Sequence, residues 1–135
     1  MKLHASGRQI AVHCNGDGAV EAFLNAVEAA LAKFPRENHR HRIEHCQIVS
    51  EEQLARMKKL GVVASFFIGH VYYWGDRHHN RFLGPERAQR ISPLRSALNN
   101  NVCSFFFTVF EVCLIYQLLL PDTIWITLRL PNYPS

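Results

Sequence analysis

The sequence predicts an α/β fold built on a parallel sheet, and two observations support this. Short runs of β-branched and apolar residues alternate with longer segments in which apolar residues recur at helical spacing. Two of the strand-like runs end on a histidine, at His13 and His45, and each continues through a turn into a helix. Strand, helix and strand in succession form the repeating unit of parallel α/β proteins.

The first unit begins with the predicted strand Gln9–His13. The turn Asn15–Gly18 follows, and its residues tolerate unusual backbone angles. Apolar residues then recur every three or four positions, which predicts an amphipathic helix over Ala19–Phe34 that Pro35 ends.

The second unit begins with the predicted strand Arg42–His45. Ser50 and Gln53 form the sequence pattern of a capping box, so a helix is predicted to begin there and to run to Leu60. Gly61 ends this helix, because glycine readily adopts the left-handed conformation found after helices.

The third strand is predicted at Val62–Phe67, and a long loop rich in aromatic residues and histidines is predicted from Gly69 to Gly84. Short helices opened by proline are predicted at Pro85–Arg90 and Pro93–Asn99. A fourth strand is predicted at Val102–Thr108. The order of elements favours a parallel sheet.

Length and composition limit the functions open to this chain. At 135 residues it is one small domain, well short of the roughly 250 residues of a closed eight-unit barrel. The net charge is +4, but the basic residues are interspersed with acidic ones, which argues against nucleic-acid binding. The four cysteines show no C-x-x-C spacing and no secretory leader precedes them, so a reduced cytoplasmic setting is expected.

The charge pattern changes abruptly after residue 101. Beyond that point only Glu111, Asp122 and Arg129 are charged. This contrast predicts two parts, a folded domain over residues 1–101 and a divergent hydrophobic tail over residues 102–135.

The tail contains a run, Val102–Leu120, that approaches the length of a membrane span. Glu111 and Gln117 interrupt the run and it has no basic flank, so membrane insertion is the less favoured interpretation. A buried strand that continues into unrelated sequence is favoured.

His13 and His45 are the candidate metal ligands. Neutral imidazoles at the ends of successive parallel strands can converge on one divalent ion, with zinc as the expected metal. The alternative is that each is an ordinary core or surface histidine. A Cys2His2 site with Cys14 and Cys46 is disfavoured, because neighbours in a strand point to opposite faces.

Other polar residues belong to the same predicted end of the sheet. Asp17 is a candidate to orient a ligand histidine, with an ordinary turn role as the alternative. His70 is a candidate proton carrier or substrate contact, with an ordinary loop histidine as the alternative. Glu44 is expected to pair with Arg40 or Arg42 between sheet and helix. The adjacent histidines at 78 and 79 are expected to face solvent, with a substrate loop as the less favoured alternative.

Residues 7–101 resemble the metal-dependent amidohydrolase superfamily, and within it the amidohydrolase-3 group of the YtcJ type. Four motifs carry the resemblance, in the family's order and spacing: His13-Cys-Asn-Gly-Asp17, His41-Arg-Ile-Glu-His45, Leu60-Gly-Val-Val-Ala-Ser65 and Leu83-Gly-Pro-Glu-Arg-Ala88.

The resemblance implies a distorted (β/α)8 TIM barrel, of which this chain holds about strands five to seven or eight. It implies that His13 and His45 end the fifth and sixth strands as metal ligands. The implied activity is hydrolysis of a carbon–nitrogen bond other than a peptide bond, in a small amide or cyclic amide, with a divalent metal as cofactor.

The chain also departs from the family pattern. The His-x-His motif of the first strand and the metal-bridging residue of the fourth are absent, and Val102–Val112 stands where the family places a strand followed by an aspartate base. The sequence is therefore interpreted as a fragment that is inactive alone, with a frameshifted or misannotated extension. The alternatives are a non-catalytic metal- or ligand-binding module and a small membrane-anchored protein.

Overall fold

The computed structural model describes residues 1–107 and 123–127 of the chain. The strands are β1 (Gln9–Cys14), β2 (Arg42–His45), β3 (Val63–Phe67), β4 (Ser104–Phe107) and β5 (Thr123–Thr127). The helices are α1 (Lys2–Ala5), α2 (Asp17–Lys33), α3 (Glu51–Leu60), α4 (Gly69–Arg77), α5 (Gly84–Ala88) and α6 (Leu94–Asn99), with a π-helical segment, His78–Phe82, after α4.

The five described strands form one parallel sheet in the order β4-β3-β2-β1-β5. This confirms the predicted parallel α/β architecture. Because α2 connects β1 to β2 and α3 connects β2 to β3, the carboxyl ends of these strands meet at one edge of the sheet. The register places His13 beside Glu44 and Cys14 beside His45.

The hydrophobic core lies between this sheet and the helices α2 and α3. Alternate residues of the strands enter it, among them Val12, Ile43 and Phe66, and each is almost fully buried. The helices contribute apolar residues spaced three or four apart, such as Val20, Phe23, Leu24, Val27, Leu54 and Met57. The remaining strand residues, including His13 and Glu44, therefore lie on the sheet face that points away from these helices.

The boundaries of α3 follow from the residues that were predicted to set them. The Ser50 side chain accepts a hydrogen bond from the Gln53 backbone N–H, and the Gln53 side chain accepts one from the Ser50 N–H, which completes the capping box. Gly61 ends the helix at a φ of 70°, in the left-handed region. Local sequence fixes the position of this helix.

Three buried histidines form a hydrogen-bonded cluster at the amino end of the strands. His41 Nδ1 accepts from the Ile10 N–H at 3.1 Å, so the ring carries its proton on Nε2 and donates it to His4 Nδ1 at 2.8 Å. His4 in turn donates from Nε2 to the Phe34 carbonyl at 2.8 Å. His39 accepts from the His41 N–H through Nδ1 and donates to the Leu60 carbonyl at 2.7 Å. All three rings are therefore neutral in this arrangement.

The prediction of a loop from Gly69 to Gly84 is wrong. Most of that segment is α4 followed by the π-helical segment. Its apolar side chains do not form one buried stripe, since Tyr72, Tyr73 and Phe82 are all exposed. The segment therefore lacks the regular spacing of apolar residues from which a helix is predicted.

Two strands lie beyond the boundary predicted at residue 101. β4 falls within the predicted fourth strand and pairs with β3, whereas β5 was not predicted and pairs with β1. The division into residues 1–101 and 102–135 stays a prediction. The candidate span Val102–Leu120 lies mostly outside the described residues. Within residues 1–107 and 123–127, no helix is long and apolar enough to cross a bilayer.

Candidate metal and catalytic site

His13 and His45 meet at the carboxyl end of the sheet. Their ring centroids are 4.5 Å apart, and the rings are inclined at 70° in an edge-to-face arrangement. The structure thus brings together the two histidines that the sequence singled out. The positions of the rings depend on adjacent strand ends, which are rigid elements for holding a metal ligand.

The backbone at the end of β2 turns His45 toward His13. The register places His45 beside Cys14, and strict alternation would point the His45 side chain to the face that packs against the helices. Instead His45 has a φ of 70° and Cys46 a φ of 44°, both in the left-handed region. This conformation costs roughly 1 kcal/mol for a residue other than glycine. Strained backbone of this kind is found where a functional side chain has to be redirected.

His70 extends the pair to a cluster of three imidazoles. It lies in the first turn of α4, with its ring centroid 5.2 Å from that of His45 and 4.7 Å from that of Phe67. Its Nδ1 atom is buried and has no hydrogen-bond partner among the residues that the structure describes. The prediction that His70 lies at the same end of the sheet as the pair is therefore confirmed, and its catalytic role stays a prediction.

Burial keeps the three imidazoles neutral at neutral pH. It lowers the pKa of His45 to about 4, with smaller electrostatic contributions from the neighbouring His13 and His70. It also lowers the pKa of His70 to about 4, with further contributions from His78 and His13. The pKa of His13 is lowered by burial, while the nearby carboxylate of Glu44 partly offsets this. Neutral imidazole is the form that binds a metal ion.

Glu44 forms a buried ion pair with Arg42, as the sequence predicted for one of its two candidate partners. The expected location between sheet and helix is wrong. The register places Glu44 beside His13 and both on the face away from α2 and α3, because Ile43 occupies the core-facing position between Arg42 and Glu44. A negative charge therefore lies next to one of the candidate ligands.

Asp17 is the first residue of α2 and is about half exposed. Its Oδ2 accepts a hydrogen bond from Arg87 at 2.8 Å, and its Oδ1 accepts one from the Gly18 N–H at 3.0 Å. The ion pair ties α2 to α5. Orientation of a ligand histidine by Asp17 stays a prediction.

Gln47, which the sequence did not indicate, lies beside His78 at this end of the sheet. The Gln47 side chain donates from Nε2 to His78 Nε2 at 2.8 Å, so His78 carries its ring proton on Nδ1. His78 is only partly exposed, which corrects the expectation that it faces solvent, whereas its neighbour His79 is exposed and contacts Asn80. The one signal in the sequence was the position of Gln47, two residues after His45.

The residues present fit part of a metal site. His13 and His45 can supply two nitrogen ligands, but within residues 1–107 and 123–127 no group of three or more His, Cys, Asp or Glu side chains is arranged to hold an ion. Burial raises the pKa of Cys14 to about 12 and raises that of Cys46 as well, so neither thiol is poised to become a thiolate ligand. This agrees with the expectation that a Cys2His2 site is disfavoured.

Comparisons with known proteins identify the family. Residues 1–106 match the model of the amidohydrolase family. Protein LONG AFTER FAR-RED 3 of Arabidopsis thaliana is 35% identical over 102 residues, which cover 75% of this chain and 17% of that protein. The crystal structure of an uncharacterized metal-dependent hydrolase from Pyrococcus furiosus aligns with a TM-score of 0.59 and 32% identity, over 74% of this chain and 19% of that one. The chain thus spans less than a fifth of the length of these relatives, and it belongs to the amidohydrolase family.

Proposed function

We propose that this chain forms part of the catalytic (β/α)8 barrel of a metal-dependent amidohydrolase of the YtcJ-like group. Its reaction is hydrolysis of a carbon–nitrogen bond other than a peptide bond, in a small amide or cyclic amide. The observation that carries the proposal is the His13–His45 pair, held at the carboxyl ends of adjacent parallel strands in a chain of this family. Barrel enzymes place their catalytic residues at this end of the strands.

His13 and His45 would hold a divalent metal, with zinc as the proposed ion. Such an ion polarises a carbonyl group and lowers the pKa of bound water to about 7. The chain contributes two neutral imidazoles in a fixed mutual orientation. The left-handed turn at His45 sets that orientation.

His70 and Asp17 are the proposed catalytic residues. The Nδ1 of His70 has no hydrogen-bond partner among the described residues, which makes it the proposed atom for proton exchange with substrate. Asp17 acts at the rim of the same edge, where its ion pair with Arg87 fixes α5 against α2. We also propose that the protein is cytoplasmic, in keeping with its cysteine pattern, which cell fractionation would test.

The chain alone should show no amidase or cyclic-amidase turnover. Hydrolysis needs a complete metal site and a base within hydrogen-bond reach, and the described residues supply two ligands. The assay is release of amine from N-acyl amino acids and ring opening of cyclic amides, with zinc, cobalt or manganese added. Metal-dependent turnover that His45→Ala abolishes and His79→Ala preserves would contradict the proposed inactivity and would show the hydrolase activity directly.

The assignment to a longer enzyme has a separate test. Sequencing of the full transcript should reveal an in-frame His-x-His strand before residue 1. A transcript whose reading frame starts at Met1 would favour a metal-binding module without catalysis and would contradict the proposal.

A further inference from the structure

A cavity of about 520 Å³ lies at the amino end of the sheet, away from the imidazole cluster. Arg8, Arg36 and Arg40 line it, together with Gln9, Asn38 and the buried His39. We propose that this cavity is an oxyanion site that binds a phosphate group, either free or as a phosphomonoester. The proposal concerns a different part of the molecule from the metal site and does not depend on it.

The residues that line the cavity carry an excess of positive charge. Arg42, Arg56, Arg87 and Arg90 each form an ion pair with a carboxylate. Among the described residues Arg8, Arg36 and Arg40 have no carboxylate partner. The same is true of Arg77, Arg81 and Arg95, but these do not line the cavity. Within residues 1–107 and 123–127, no acidic residue lines the cavity. Two further basic residues, Lys58 and Lys59, line an adjoining cavity of about 800 Å³, whose lining contains one carboxylate, Glu37. Three unpaired guanidinium groups in one concave surface attract an anion.

Hydrogen bonds within the chain hold two of the arginines in place. Arg36 is partly buried, and its Nη1 donates to the carbonyl of Arg8 at 3.0 Å and to that of His4 at 3.5 Å. Arg40 donates from Nε to Asn38 Oδ1 at 3.0 Å. In the described part of the chain, the terminal nitrogens of Arg40 make no further hydrogen bond. These contacts hold the two side chains in place and leave some of their N–H groups without a partner among the described residues. Such preorganisation lowers the entropic cost of binding a ligand.

The charge of Arg36 also affects the pKa values of the buried histidines behind the cavity, His39 and His41. The positive charge of Arg36 contributes to the lowered pKa values of His39 and His41, after burial and the neighbouring imidazoles. Both rings are neutral and already hydrogen bonded, so among the described residues they leave the positive charge of the arginines uncompensated.

The hydrogen-bonding geometry of guanidinium groups and the size of the cavity favour phosphate as the ligand. Guanidinium groups form paired hydrogen bonds with phosphate oxygens, which gives them a strong preference for this group. The cavity volume lies in the range of small-molecule sites, about 300–1,000 Å³. A nucleic acid would instead require a basic stripe across the surface, whereas several of the other arginines here are paired with carboxylates.

The test uses the full chain with inorganic phosphate and glycerol phosphate, at ionic strength matched with sodium chloride. We expect saturable binding by calorimetry and a matching rise in melting temperature. Arg8→Gln and Arg40→Gln should each weaken binding about tenfold, since each removes a charged hydrogen bond. Both side chains are exposed, so folding should be preserved. Arg95→Gln is the matched control, because Arg95 is an exposed arginine of α6 that does not line the cavity.

Tighter binding of glycerol phosphate would identify an ester as the ligand, and tighter binding of inorganic phosphate would identify the free ion. Both results support the proposal. It is overturned if phosphate acts no differently from chloride, or if Arg95→Gln weakens binding as much as the two cavity variants. Binding of an oligonucleotide without binding of either phosphate compound would overturn it as well.

Discussion

Replacement of Arg42 by alanine is expected to lower the free energy of unfolding by about 3–5 kcal/mol. Arg42 and Glu44 are only 2% and 4% exposed, and the arginine Nε contacts the carboxylate directly. Loss of the guanidinium leaves Glu44 buried without its counter-charge, and that desolvated charge is the main cost. Urea denaturation of the wild-type chain and the Arg42→Ala variant measures the difference.

Arg90→Ala is the matched control for this prediction. Arg90 pairs with Glu51 at 2.8 Å, but both side chains are nearly half exposed, so its loss should cost about 0–1 kcal/mol. The double variant Arg42→Met with Glu44→Leu removes both charges and should recover much of the stability lost in Arg42→Ala. If Arg42→Ala and Arg90→Ala lowered the free energy of unfolding by the same amount, the buried pair would not have the stabilising role assigned to it.

Stability should fall steadily as the pH drops from about 6.5 toward 3, and His41 should be a main cause. Burial, together with the charges of His39, His4 and Arg36, lowers the pKa of His41 to about 3 in the folded chain. Below pH 6.5 the unfolded chain takes up a proton on this residue and the folded chain does not. The single group therefore removes about 1.4 kcal/mol of stability per pH unit over this window. Thermal melts from pH 7 to pH 4 measure the slope.

His41→Gln is the informative variant for the acid response. The glutamine amide can still accept from the Ile10 N–H and donate to His4, but it does not titrate. The variant should fold and show a shallower loss of melting temperature with acid. A slope identical to that of the wild-type chain would contradict the role given to His41.

The elements that could be predicted from the sequence are those defined by local pattern. α2 is fixed by an apolar stripe at helical spacing and α3 by its capping box and Gly61, so their positions follow from short-range chemistry. β1 and β2 are short apolar runs between turns. Their shared carboxyl edge follows from the rule that a helix joins parallel neighbours, which is why the His13–His45 pair could be foreseen.

The features that could not be predicted depend on contacts distant in sequence. β5 is defined by its pairing with β1, more than 100 residues away along the chain. The left-handed turn at His45 is not encoded by glycine or asparagine, so local propensity gives no warning of it. The contact of Gln47 with His78 likewise depends on how α4 and the π-helical segment fold back over the strand ends.

The most direct test of the account is the metal content of the purified chain after dialysis against zinc. We expect one zinc ion per chain, bound weakly because water has to complete the coordination of two imidazoles. His13→Ala and His45→Ala should each abolish stoichiometric zinc, while His79→Ala, which removes an exposed histidine outside the pair, should retain it. Zinc content that is unchanged in both His13→Ala and His45→Ala would contradict the assignment of this pair as the metal ligands.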